Sequence, residues 1–288
     1  MASLLLFLRS GVWAIALTTL MFLDSDFRKL HYVFLAWSLG GVAAIVLGAN
    51  HLRKMRITGW EQKIDWAWIR LGVKTAIPLL FASLCIRALF TVDRYWFASI
   101  SSLELLGAYV LFIGIANAMT SFLDAGVFAY IYPGLISAYQ QNRKTEFKKG
   151  VTKLLTQTIT VSAIFSVIAV LLIAPLLNWL NKPLYLANIE LFYYLLLANF
   201  IYCLSMVPHF ALYAQGADRQ ILLSHIVAVV VFVPCTYLIS LNWPSLAVPI
   251  GLSISFFVIL TWKSTALLSL TNKLNEHSNN QQRGNSCE

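Results

Sequence analysis

Ser83, Arg87, Thr91 and Arg94 follow one another at spacings of four, four and three inside the apolar run from about residue 77 to residue 100. On a helix that spacing puts all four on one face. The result is a polar stripe along an otherwise apolar rod, with Asp93 next to Arg94. An ionised group at membrane depth costs roughly 2.5–3.5 kcal/mol even on the lenient insertion scale. A span that keeps Arg87, Asp93 and Arg94 is therefore expected to use them. The next apolar run starts near Glu104 and brings Asn117, Thr120, Ser121 and Asp124 to one face. At about 1.5 Å per residue, Arg87 and Asn117 each lie roughly 20 Å from the outer ends of their helices, so they can meet in mid-bilayer. Asp124 lies deeper, which disfavours a direct pair with Arg87.

Guanidinium groups bind phosphate oxygens in bidentate fashion. The pattern thus predicts a hydrated, cation-lined cavity for a phosphorylated ligand, walled by Arg87, Arg94 and Asn117. Asp93 and Asp124 are the carboxylates at depth that could couple transport to an ion. Each residue also has a plainer reading: Arg94 snorkelling to headgroups, Asp93 neutralising a neighbouring arginine, Asp124 as a polar helix end. Arg9 lies only about 9 Å inside the first apolar run, so it either snorkels or joins the cavity. His209 and His225 flank the turn Gln215–Gln220; they read first as interfacial packing residues, with a proton relay as the alternative.

Composition says what positions these groups. The 288 residues are 59% hydrophobic and 11% charged, with a mean hydropathy of +0.73. A soluble domain carries about 25% charged residues. Eight apolar stretches stand near the roughly 20 residues needed to cross a bilayer: about 3–23, 31–50, 76–98, 105–126, 154–177, 189–213, 221–240 and 245–262. They are too long and continuous for strands, so the expected fold class is an all-α polytopic membrane protein with about eight transmembrane helices.

The net charge of +9 does not point to nucleic acid, because the basic residues sit in alternate loops. One loop carries Arg53, Lys54, Arg56, Lys63, Arg70 and Lys74; another carries Arg143, Lys144, Lys148, Lys149 and Lys153. Arg219 marks the next, and Lys263, Lys273 and Arg283 mark the tail, while the intervening loops are poor in them. This is the positive-inside pattern, and it places both termini in the cytoplasm. Membrane lipids, including anionic headgroups, are the expected surroundings.

Residues 1–52 read as two helices, 53–69 as a basic cytoplasmic linker and 70–271 as a six-helix lobe. Residues 272–288 read as a disordered tail. Trp60, Trp66 and Trp68 read as interfacial anchors. Pro78, Pro175, Pro208 and Pro234 read as helix bends within spans. Cys85, Cys203, Cys235 and Cys287 lack the spacing of a zinc site or a bridge. No cofactor is expected. Neither paired carboxylates nor a His/Asp cluster stands in an interfacial loop, so no enzymatic chemistry is expected.

Four stretches resemble a known family: IRLGVKTAIPLLFASL, FTVDRYWFASISSLELLGAYVLF, SFLDAGVFAYIYPGLISAYQ, and the basic segment ending in FKKG. With Asp93–Arg94, Gly107–Ala108–Tyr109 and Tyr132–Pro133, they resemble polysaccharide (O-antigen type) flippases of the multidrug/oligosaccharidyl-lipid/polysaccharide superfamily. The resemblance implies twelve helices in two lobes, of which this chain matches the carboxy-terminal two-thirds. Residues 1–52 then match the last two helices of the first lobe, and the first four helices have no counterpart, as in a truncated, mis-started or split gene product. It further implies a bacterial inner-membrane transporter that moves a polyprenyl-diphosphate-linked oligosaccharide outward by alternating access. Polysaccharide polymerase or assembly proteins would be its partners. A cation-coupled multidrug antiporter of the same superfamily is the alternative, although its site should be acidic. A non-transporting scaffold of a polysaccharide assembly complex is another.

Overall fold

The structure, a computed structural model, describes residues 5, 7–55 and 63–285, with the side chains of residue 75 and of those beyond 271 left aside. Trp60, Arg56 and Cys287 therefore lie outside the described residues. Within them every regular element is helical. The chain divides into two compact units, Met1–Trp66 and Ala67–Glu288.

The first unit is a helical hairpin. Helix α1 spans Leu8–Leu23 and opens with a widened π turn, Leu8–Val12; α2 spans Leu30–Lys54. A short 3-10 turn, Ser25–Phe27, joins them. The Asp24 carboxylate accepts the Asp26 N–H at 2.9 Å, and Arg28 Nε donates to the Met21 carbonyl at 3.1 Å. Arg28 thus satisfies a carbonyl that the end of α1 would otherwise leave bare. Two helices cannot cover each other's apolar faces: Leu17 is buried, but α2 buries no side chain.

The second unit holds α3 (Trp66–Ile100), α4 (Leu103–Gln140), α5 (Lys144–Trp179) and the single turn α6 (Pro183–Ala187). It continues with α7 (Glu190–Ala214), α8 (Asp218–Ser240) and α9 (Pro244–Asn285). Three of its reversals share one cap. Asn142, Asn181 and Gly216 take positive φ of 54°, 53° and 69°. The next residue's N–H reaches back five positions in each case: Arg143 to Ala138 at 2.9 Å, Lys182 to Leu177 at 3.2 Å, and Ala217 to Leu212 at 3.0 Å. This is the Schellman geometry, and only glycine and asparagine enter it at low cost.

Helix α7 is the hub and touches α4, α5, α8 and α9. Lipid tails are as apolar as leucine, so burial from water does not hold such a bundle together; close packing and interhelical hydrogen bonds do. One aromatic core joins Phe97, Tyr109, Phe112, Phe192, Phe232 and Phe256. A second gathers Met119, Leu123, Phe128, Leu154, Cys203 and Val207. At Gly251 the α8–α9 approach is so close that a Cβ would strike Thr236.

Among the described residues seven helices are long and apolar enough to cross a membrane: α2, α3, α4, α5, α7, α8 and α9 to Thr271. The chain reads as an all-helical, multi-pass membrane protein. The expected first span is shorter among the described residues, where α1 covers only Leu8–Leu23. Two further expectations change. The second basic loop is helix: Lys144, Lys148, Lys149 and Lys153 all lie on the exposed first turns of α5. The backbone also stays helical to Asn285, where composition predicts a tail without fixed structure. Extending an existing helix avoids the cost of a new nucleus, which accounts for both.

Candidate functional site

The stripe on α3 is present as spaced. Ser83, Arg87, Thr91 and Arg94 are all exposed on one side of the helix. Its hydroxyls are turned inward on their own backbone: Ser83 Oγ donates to the Leu79 carbonyl at 2.9 Å and Thr91 Oγ1 to the Arg87 carbonyl at 2.8 Å. Such back-bonding quiets a hydroxyl that lipid could not satisfy. The two arginines are left as the polar heads of the stripe.

Asp93 behaves differently. It is fully buried, and both carboxylate oxygens are engaged. Tyr109 donates its hydroxyl to Oδ2 at 2.7 Å, and the Arg94 N–H donates to Oδ1 at 2.7 Å. The Tyr109 ring stacks on Phe97 with centroids 4.4 Å apart. Asp93 thus pins α3 to α4; Arg143 pairs with Glu146 at the exposed start of α5. The resemblance residues Asp93 and Tyr109 prove to be one buried hydrogen-bonded pair.

On α4, Asn117 is half-buried and Asp124 exposed. Asp124 opens a π turn, Asp124–Phe128, inside the long helix; such insertions are frequent at functional positions. Arg87 and Asp124 form no ion pair with each other. Asn199 of α7 ties α4 to α7: its amide donates to the Ala116 carbonyl, and its oxygen accepts from Thr120 Oγ1 at 3.1 Å. Arg9 lies exposed in the first unit, within its π turn.

The cavities described on the bundle lie toward its ends. One of about 310 Å³ is lined by Tyr139, Phe147, Val151 and Leu267 together with Lys144 and Lys148. The stripe itself faces outward and is not enclosed by the second unit's own helices.

One residue was misplaced by its sequence context. Lys263 reads as a cytoplasmic tail charge, yet it is fully buried, with Nζ 3.2 Å from His209 Nδ1 and 3.0 Å from His225 Nε2. His225 Nδ1 lies 2.9 Å from the Ala82 carbonyl. His209 and His225 are thus tied to Lys263 in a cluster joining α3, α7, α8 and α9. The signal that could have found it is periodicity. Leu252, Phe256, Ile259 and Lys263 recur at four, three and four, the spacing of one helix face, and all four are buried;.

Among the described residues no group of three or more His, Cys, Asp or Glu could hold a metal ion. Comparison with protein-family models, with curated proteins and with solved structures finds no match to this chain.

Proposed function

We propose that this chain is the carboxy-terminal part of a flippase for a polyprenyl-diphosphate-linked oligosaccharide in cell-surface polysaccharide synthesis. The observation that carries the reading is the exposed pair Arg87 and Arg94, on the hydroxyl-lined face of a helix that is otherwise apolar over a membrane's thickness. Two guanidinium groups held at depth are costly against lipid and well matched to diphosphate oxygens. Transport sites of this kind lie near mid-membrane between helix bundles that rock against each other. The α3 stripe then forms one wall of a hydrated passage, with Asn117 beside it and Asp124 at its deeper end. The diphosphate rides along the arginines, the sugars stay in water, and the lipid tail stays in the bilayer. Two exposed cations on the stripe, with the neighbouring Asp93 carboxylate buried, favour an anionic cargo over a cationic drug.

The test is complementation of a bacterial strain that lacks its flippase and accumulates lipid-linked repeat units. The wild-type chain, expressed with any upstream in-frame segment, is expected to clear the accumulation. Arg87→Ala is expected to abolish clearing, and Arg87→Lys to keep part of it. Full activity of the alanine form overturns the reading.

A further inference from the structure

We propose that His209, Lys263 and His225 form a proton-binding site, and that the proton is the ion which drives the transport proposed above, a coupling that rests on that reading. The helices bring three titratable nitrogens into one line: His209 Nδ1 to Lys263 Nζ at 3.2 Å, and Lys263 Nζ to His225 Nε2 at 3.0 Å. The two imidazoles lie nearly parallel, 8° apart. Lys263 shows no exposure and His225 5%, while His209 keeps partial exposure.

Hydrogen-bond logic settles the order of donors. The Ala82 carbonyl can only accept, so His225 carries its proton on Nδ1, 2.9 Å away, and offers Nε2 as an acceptor;. Lys263 therefore donates to His225. Toward His209 either arrangement works: a neutral amine accepts from His209 Nδ1–H, or an ammonium donates to His209 Nδ1. Both keep the 3.2 Å contact, and only the hydrogen changes sides. Uptake then balances as follows. A proton from water binds Nε2 of His209, the imidazolium passes its Nδ1 proton to the amine of Lys263, and His209 is left neutral with its proton on Nε2. Release runs in reverse.

The groups facing this line come from every helix around it. They are His209 from α7, His225 from α8 and the Ala82 carbonyl from α3. Each imidazole faces Lys263, and the two rings face each other with centroids 6.1 Å apart. Within the described residues Lys263 makes no ion pair with a carboxylate. Buried Ala82, Leu212 and Ile221 form an apolar cluster where the same four helices meet, packed against Ala266, Leu267 and Leu270. An unbalanced charge thus appears and disappears where four helices join, a natural bias on how tightly that seam closes. The carboxylates first considered for coupling are less suited, since Asp93 is committed to Tyr109 and Asp124 is exposed.

The full chain in lipid nanodiscs, labelled with nitrogen-15 in histidine and lysine, tests the site by NMR between about pH 5 and pH 9. The expected result is one shared transition of His209 and Lys263, while His225 keeps its Nδ1–H tautomer. Lys263→Met should leave His209 to titrate alone at a changed midpoint. Lys263→Arg, whose guanidinium keeps its proton, should also abolish the shared step. A Lys263 that stays ammonium throughout, or a His209 curve unmoved by either substitution, overturns the proposal without any variant needing to transport. A second arm uses proteoliposomes carrying a fluorescent polyprenyl-diphosphate oligosaccharide. An imposed pH gradient should speed its transfer by wild-type protein, and both variants should lose that response. Transfer indifferent to the gradient in wild type overturns the coupling. Absence of transfer under every gradient counts against the cargo reading, and the NMR arm still decides the proton site.

Discussion

Arg87 and Lys263 each put a basic head within apolar helices, but they are housed in opposite ways. Arg87 stands on the open face of α3, where neighbouring hydroxyls bond their own backbone and no side-chain partner is fixed to it. Lys263 is sealed among four helices, with an imidazole nitrogen on either side. An exposed charge awaits something from outside, whereas a sealed one is answered from within. Removing the first should cost activity and little stability; removing a partner of the second should cost stability directly.

The largest effect is expected at His225. His225→Ala takes the acceptor from Lys263 and the donor from the Ala82 carbonyl, and it opens a void beside both. The weakened support of a buried lysine and the void should together cost about 2–5 kcal/mol. Thermal unfolding of the full chain in nanodiscs would show it, and a melting temperature equal to wild type would mean the cluster holds nothing together. Tyr109→Phe comes next. It deprives the buried Asp93 carboxylate of a hydroxyl donor, at roughly 1.5–3 kcal/mol for a bond to a charged group. An unchanged melting temperature there would return Asp93 to the set of available carboxylates.

Close approach ranks third. Gly251→Ala drives a methyl into Thr236 at the α8–α9 contact, and overpacking of this kind costs about 1–3 kcal/mol. Because neither Gly251 nor Thr236 belongs to the α3 stripe, complementation by a strain that still makes the protein should fall only in step with its abundance.

How much of this was legible beforehand depends on which residues broke the apolar background. The helices were, because their runs are long and uniform, and the α3 stripe was, because two arginines interrupt one. Lys263 was not: it follows Trp262 near the end of a run and copies the basic residues that mark a cytoplasmic loop. Only the periodic face it shares with Phe256 and Ile259 tells that it turns inward. Asp93 was legible as a charge at depth but not as a pin, since its partner Tyr109 lies 16 residues on, across a turn. The Asn142 and Asn181 caps carried a local signal, asparagine between a helix end and a lysine or arginine, that apolar-run reading passes over. The lysines of α5 were placed in a loop because charge was allowed to end the helix. Outside lipid it does not, since charged side chains are good helix formers.

The smallest stability effect belongs to the residue with the largest functional stake. Arg87→Ala deletes an exposed head without stranding a partner, so it should move unfolding by no more than about 0.5 kcal/mol. Arg94→Ala should match it. If the stripe serves an anionic cargo, Arg87→Ala chain that is folded and inserted at wild-type levels will still fail to clear lipid-linked repeat units, and Arg87→Lys will recover part of the loss as a point charge lacking the bidentate fork. The decisive comparison is with Arg87→Gln, which keeps length and hydrogen bonding but not charge. Activity retained by glutamine and lost by alanine would make the stripe a polar lining alone. Activity lost by both and kept by lysine would make positive charge its working part, which is what separates a phosphate-binding wall from a merely wet one.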